Sequence, residues 1–410
     1  MIKKWYKNIG PGPLIAAAFI GPGTVTVCTL AGVGFGYSLL WAMALSIIAT
    51  IVLQEMSARL GIITQKGLSE IIRTEIKNPV FKLFAIALIL SAIVIGNAAY
   101  EAGNISGGVL GLETIIGNKN INFDGFSFNL LSWFIGFVAF FLLYLGNYKV
   151  LEKVLLFLVI LMSFSFLFTA VITKPDVLDI LKGVFVPKFN DTSLFTVIAL
   201  IGTTVVPYNL FLHASLVKEK WQNIDDLKYA RKDTFVAVFL GGIVSMCIII
   251  SAASIQAAEV NNVADLAKGL EPLFGNLAKY FLAIGLFAAG ITSAITAPLA
   301  AAYVACGCLG WSNNLKSNKF RAVWIFILIL GVLFSSFGIK PIEIIKFAQI
   351  ANGILLPVIA GFLVWIMNKE SLLGQYKNTI MQNILGFLIL GISVLLSLAT
   401  LNKVFDLNFF

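Results

Sequence analysis

The chain has 410 residues, 59% of them apolar and only 12% charged, with a mean hydropathy of +0.95; a soluble domain is nearer half apolar and a quarter charged. Too little polar side chain remains to cover such a body in water, so a soluble enzyme is excluded and the surrounding solvent is lipid. The net charge of +9 does not mark a nucleic-acid surface, because its placement along the chain follows membrane topology.

In chain order, apolar stretches of about 20 residues, the length that crosses a ~30 Å hydrocarbon core, run at 11–36, 37–58, 83–110, 130–146, 154–173, 194–217, 234–257, 276–305, 322–338, 342–367 and 380–401. Eleven spans are predicted. Runs such as 130–145 and 154–171 are continuously apolar rather than alternating, which favours helices over the strands of a barrel. With the N-terminus inside, 20 of the 29 Lys and Arg fall in segments 1–10, 59–82, 147–153, 218–232, 312–321 and 368–379. That is the positive-inside bias, so the N-terminus is expected in the cytoplasm and the C-terminus outside. No small-residue cleavage site follows the short basic arm, so no removable signal peptide is expected. The usage of Lys, Asn and Phe suggests an AT-rich bacterial genome and hence a bacterial inner membrane. The four cysteines lie in or beside apolar runs with no C-x-x-C spacing, which argues against a disulfide framework and a soft-metal cage.

Two spans are interrupted near their middles. The first holds Gly21-Pro22-Gly23-Thr24 and the sixth Thr203-Thr204-Val205-Val206-Pro207-Tyr208-Asn209. Proline between small residues breaks the helical hydrogen-bond ladder and frees peptide groups. Pro22 and Pro207 are 185 residues apart, with five spans per interval, and an odd number inverts the second copy relative to the first. One such proline is what a packing kink looks like; two, five helices apart, match carriers in which inverted halves meet at a midplane site. The breaks offer the hydroxyls of Thr24, Thr26, Thr203, Thr204 and Tyr208, the amide of Asn209, and carbonyls near Ala18 to Gly21 and Gly202 to Thr204. Thr24, Thr203 and Tyr208 head the candidate ion ligands. These hard, neutral oxygens suit a cation that keeps much of its water, as magnesium does, or a polar or anionic solute facing half-helix N-termini. They do not suit a dehydrated transition metal, which takes carboxylate, imidazole or thiolate.

Glu101 lies deep in the third apolar stretch, where an ionisable residue is a functional candidate by default. His213, the one histidine, follows Pro207 by six residues and carries a group able to exchange protons in the physiological range. Gln349 and Asn352, three apart, share a helix face. Glu55 and Arg59, four apart at the inner end of span two, form a local ion pair or interfacial anchors. The chain contains no P-loop, H-E-x-x-H or nucleophile elbow, so it is read as no enzyme and no ATP-driven pump.

Several blocks resemble the Nramp family of proton-coupled divalent-metal transporters. They are Gly10-Pro11-Gly12-Pro13 with Gly21-Pro22-Gly23-Thr24, then Leu53-Gln54-Glu55-Met56-Ser57-Ala58-Arg59-Leu60-Gly61, and Val206-Pro207-Tyr208-Asn209-Leu210-Phe211-Leu212-His213. The resemblance implies a single all-α transmembrane domain over 1–410: a LeuT-like five-plus-five inverted repeat, approximately 11–173 and 194–367, plus an extra helix at 380–401. Helices one and six are broken around Pro22, Gly23 and Pro207, with the site between them at Gly21, Thr24, Thr26, Thr203, Thr204, Val206, Tyr208 and Asn209. It also implies gate or path residues Gln54, Gln349 and Asn352, and a proton route through Glu101 and His213. The family motif is Asp-Pro-Gly-Asn in helix one and Met-Pro-His in helix six; here those diagnostic side chains are replaced by Gly21, Thr24, Val206 and Tyr208. The expected function is therefore secondary transport of a divalent cation: a magnesium-like, partly hydrated ion by ligand chemistry, manganese or iron by family. The alternatives are transport of a small polar or anionic solute, or a non-transporting membrane sensor. The expected partners are the transported solute and the bilayer, with no cofactor and no nucleic acid.

Overall fold

The computed structural model describes residues 10–11, 20–123, 126–146, 149–189, 191–255, 260 and 262–405. Along these residues the main helices are α1 (Pro22–Phe35), α2 (Leu40–Thr64), α3 (Leu68–Glu75), α4 (Pro79–Ile116), α5 (Leu130–Leu145), α6 (Lys149–Ile172) and α7 (Val177–Phe185). They continue as α8 (Leu194–Thr204), α9 (Pro207–Lys220), α10 (Leu227–Ala253), α11 (Ala278–Leu309), α12 (Asn318–Ser336), α13 (Pro341–Met367) and α14 (Ile380–Phe405). Among the described residues eight helical stretches are long and apolar enough to cross a membrane, or nine when a bent pair counts as one crossing. The chain is thus a polytopic helical membrane protein.

The bent pair departs from the expected simple span at 154–173. The helix turns through 118° between Ile172 and Val177, because Pro175 cannot continue the ladder and Asp176 starts a new helix by accepting hydrogen bonds from the amides of Leu178 and Asp179. Helices α1 and α5, of 14 and 16 residues, fall short of a full crossing. Residues 12–19, the first half of the span expected at 11–36, lie outside the described residues. A two-stranded hairpin between α4 and α5 pairs Asn120 with Asn129 and Ile121 with Phe128, a small departure from all-helix. There the sequence alternates polar and apolar residues, the period of a strand.

Helices in lipid gain little from burying apolar surface against each other, so close packing through small residues does the work. Helix α4 illustrates this: a side chain at Gly107 would collide with Pro22, and one at Gly111 with the Ala283 carbonyl of α11. Pro357 inside α13 cannot donate to the Gly353 carbonyl. Ser397 of α14 lies 3.4 Å from that oxygen, while its hydroxyl donates to the Ser393 carbonyl of its own helix at 2.7 Å.

Candidate functional site

Helix ends flank the second expected break, and at the first the helix that follows it is described. Helix α1 begins at Pro22, with Gly21 extended at the cap position (φ −105°, ψ −173°). Helix α8 ends at Thr204, Val206 is extended, and Pro207 opens α9. The start of α1, the end of α8 and the start of α9 thus carry amides and carbonyls without intrahelical partners. Proline suits a first helical position because its missing N–H would be unused there.

The two breaks touch. The Thr24 and Thr203 hydroxyl oxygens lie 2.8 Å apart in a buried hydrogen bond that spans 179 residues of sequence. Helix α13 completes the enclosure. The Gln349 side chain lies over Gly23, and the Gln349 carbonyl abuts Gly202, where a side chain would overlap it. Glycine at 23 and 202 is therefore what lets one residue of α13 bear on both breaks. Asn352, three residues along the same face, approaches Gly96 of α4 with its amide oxygen.

The polar atoms here are sealed and incompletely bonded. Thr24, Thr26, Thr203, Asn209, Gln349 and Asn352 are all buried. Within the structure the Thr26 hydroxyl, both amide atoms of Asn209, the Gln349 amide oxygen and the Asn352 amide nitrogen have no hydrogen-bond partner. Leaving such a group unsatisfied costs about 1–3 kcal/mol, and a concentration of them is the mark of a site that a ligand or water completes. Among the described residues no group of three or more His, Cys, Asp or Glu could hold a metal ion. The donor set is neutral oxygen and amide.

Other candidates are drawn elsewhere. The Thr204 hydroxyl donates to the Leu200 carbonyl at 2.9 Å and lies 3.6 Å from Met43 Sδ, so it faces α2 rather than the Thr24–Thr203 contact. Val206 is buried and contributes no polar side chain. Tyr208 packs edge to face against Tyr100 of α4, with ring centroids 5.3 Å apart. Gly96, Tyr100, Gly103 and Gly107 repeat at helical spacing and form the face of α4 that meets α13, α9 and Pro22. Glu101 points the other way. It packs against Gly331 of α12, with one carboxylate oxygen 3.5 Å from the Asn104 amide and the other unpartnered.

His213 and Gln54, selected separately from the sequence, form one contact: His213 Nδ1 lies 2.6 Å from Gln54 Oε1. An amide oxygen only accepts, so Nδ1 carries the proton and donates. His213 Nε2 is left buried without a partner.

Sequence reasoning understated the C-terminal end of α2. Arg59 pairs with Glu55 at 3.0 Å as expected for positions four apart. It is 1% exposed rather than interfacial, and donates to the Tyr376 carbonyl at 2.6 Å and to Asn378 Oδ1 at 2.8 Å. Glu55 also bonds Arg231 of α10 at 2.8 Å. Nearby, the Gly10 amide donates to Asp233 at 3.0 Å, with Gly10 pressed on the Trp221 ring. These partners lie more than 170 residues from Glu55 or Arg59, so local spacing held no signal for them.

A helical membrane body whose interrupted helices meet at a buried polar site has the architecture of a carrier. The family model described as natural resistance-associated macrophage protein-like matches residues 12–403; the chain belongs to the Nramp family. It is 27% identical to a divalent metal cation transporter MntH of Staphylococcus haemolyticus, over 96% of this chain and 91% of that protein. It is 28% identical to the metal transporter Nramp1 of Oryza sativa subsp. japonica, over 96% and 78%. Among solved structures, a manganese transporter of Eremococcus coleocola superposes with a TM-score of 0.76 at 21% identity, covering 97% of this chain and 86% of that one. Mhp1, a nucleobase-cation-symport-1 family transporter, superposes at 0.52 and 14% identity, over 96% and 93%. These two likenesses show the shared fold.

Proposed function

We propose that this Nramp-family chain is a secondary active transporter of a divalent metal cation, working by alternating access around the contact between the α1 and α8/α9 breaks. Family membership and the names of the relatives support the metal. The donor chemistry supports a hard ion that keeps part of its water, magnesium-like rather than manganese: Gly21, Thr24, Val206 and Tyr208 supply no carboxylate, thioether or imidazole. The observation that carries this reading is the Thr24–Thr203 hydroxyl contact roofed by Gln349, a contact between the two breaks made by neutral groups.

The nine apolar crossings together with the shorter α1 and α5 support eleven spans. We read them as inverted repeats at approximately 11–173 and 194–367 plus α14, in a bacterial inner membrane with the N-terminus cytoplasmic and the C-terminus outside. Proton coupling, in this reading, runs through Glu101 and His213.

The test is uptake in proteoliposomes, with magnesium and manganese supplied separately and in competition. Saturable magnesium uptake that manganese inhibits poorly is the expected result. Manganese uptake at micromolar concentration, unaffected by a large excess of magnesium, refutes the hydrated-ion reading. A second reading is favoured by the N-termini of α1 and α9, whose positive ends both open at the breaks: a small anionic or polar solute. It is supported instead when no divalent ion shifts the melting temperature and an anionic metabolite does.

A further inference from the structure

A groove of about 460 Å³ opens on the side of the molecule, where α13 meets the first turns of α4. Two helical stripes wall it. Phe81 and Leu88, seven apart, come from α4, while Val358, Gly361, Phe362 and Trp365, spaced i, i+3, i+4 and i+7, come from α13; Ile76 closes one end. Phe81 and its neighbours Val80, Leu83 and Phe84 are exposed, as residues facing acyl chains are. A side chain at Gly361 would meet only Leu390, at an ordinary 3.8 Å, so this glycine leaves room in the groove rather than permitting a tight helix contact.

One end of the groove is basic. Lys77 follows Ile76 and Lys82 follows Phe81, and among the described residues neither has an ion-pair partner. Lys369 lies 4.3 Å from the centre of the Trp365 ring and bonds Glu75 at 3.0 Å. Tryptophan and lysine together mark the membrane–water interface. Apolar walls running from a lysine cluster into the membrane fit an amphiphile with an anionic head, and basic pockets between membrane helices take such headgroups.

We propose that this groove binds an anionic glycerophospholipid, an acyl chain lying between α4 and α13 and the phosphate headgroup among Lys77, Lys82 and Lys369. The lipid braces the part of α13 just beyond Pro357, one turn from Gly353, which packs against Ile198 of α8.

The test is the melting temperature of the full chain in mixed micelles titrated with phosphatidylglycerol, with phosphatidylcholine and, separately, with inorganic phosphate. Phosphatidylglycerol is expected to raise it by several degrees, and the other two not. In K77Q/K82Q the concentration giving half the shift rises about 25-fold, about five-fold per lysine. Gly361→Phe, which fills the groove, abolishes the shift. Equal stabilisation by phosphatidylcholine, reproduction of the shift by phosphate alone, or an unchanged midpoint in K77Q/K82Q overturns the proposal. The lysine variant and the lipid comparison decide between these outcomes even if Gly361→Phe does not fold.

Discussion

The helix breaks and the C-terminal end of α2 are both polar and both buried, yet they are finished differently. Around Arg59 the charged groups find partners: two on Glu55, a carbonyl at Tyr376 and an amide at Asn378. Around Thr24 and Thr203 one hydroxyl pair is made, while Thr26, Asn209, Gln349 and Asn352 keep unanswered atoms. Saturated polar networks rigidify a structure, whereas partly satisfied ones cost free energy that something must offset. The first region reads as construction holding α2, α10 and the α13–α14 connection together. The second reads as a place where a solute's oxygens or charge complete the bonding. Substitutions in the two regions should therefore fail in different ways.

The largest effect on uptake is expected at Gly202. A methyl group there would sit 1.8 Å from the Gln349 carbonyl oxygen, so Gly202→Ala forces α8 and α13 apart at the site. Overpacking of this kind costs about 1–3 kcal/mol, occasionally more. Uptake should vanish and the melting temperature fall together. An active Gly202→Ala would mean that the α8–α13 contact is not part of the working cycle. Next comes Arg59→Ala, which strands Glu55 and the groups that Arg59 bonds. Removing one partner of a buried pair costs about 3–5 kcal/mol, so thermal unfolding in detergent should drop steeply; uptake per folded molecule should drop less. The opposite split would turn this region into a site and undo the contrast.

Thr24→Val and Thr203→Val sharpen the contrast because they remove hydroxyls at nearly constant shape. Each alone breaks the pair and should cost about 1 kcal/mol in stability. The double variant should cost less than the two single changes summed, because both lose the same hydrogen bond, while uptake remains at least ten-fold down if the hydroxyls bind the solute. Restored uptake in the double variant would make the pair structural. Glu101→Gln is milder still. The side chain faces α12 rather than the breaks, so solute binding should persist while proton movement, read with a pH dye inside the liposome, is lost. Unchanged proton flux would remove Glu101 from the coupling route.

How much of the molecule is legible in its sequence follows from the range of each signal. Proline and glycine act on their own helix, so the start of α1 at Pro22 and the break before Pro207 can be placed from sequence to within a residue or two. Hydrophobic length is likewise local, and α13 and α14 begin where the apolar runs do. What cannot be read is rotation about helix axes. Tyr100 and Glu101 are neighbours in sequence and face different helices, and Thr203 and Thr204 divide between α1 and α2; a residue's type does not say which way a packed helix turns. The His213–Gln54 pair spans 159 residues, and the Arg59–Asn378 bond 319. The bend after Ile172 is signalled by Pro175, and the expected span stops at 173; the helix beyond it, Val177–Phe185, is too short to register as a span.

The smallest effect is expected where charge meets water. In the α13–α14 connection, hydrogen bonding and attraction from Lys377 hold the Glu370 carboxyl below its ordinary value of 4.5. A carboxyl whose pKa is depressed by folding stabilises the folded state above its unfolded value. That contribution disappears as pH falls through the lower, folded value. Glu370→Gln should therefore leave a trace near neutral pH and none in strong acid, where both proteins carry an uncharged side chain. Because the pair is solvated, the trace at pH 7 should lie at the limit of detection in low salt and vanish in high salt. A Glu370→Gln variant whose melting temperature fell as far as that of Arg59→Ala would show that the exposed connection stabilises the molecule as much as the buried arginine does. The division between saturated core and solvated rim would then have to be redrawn.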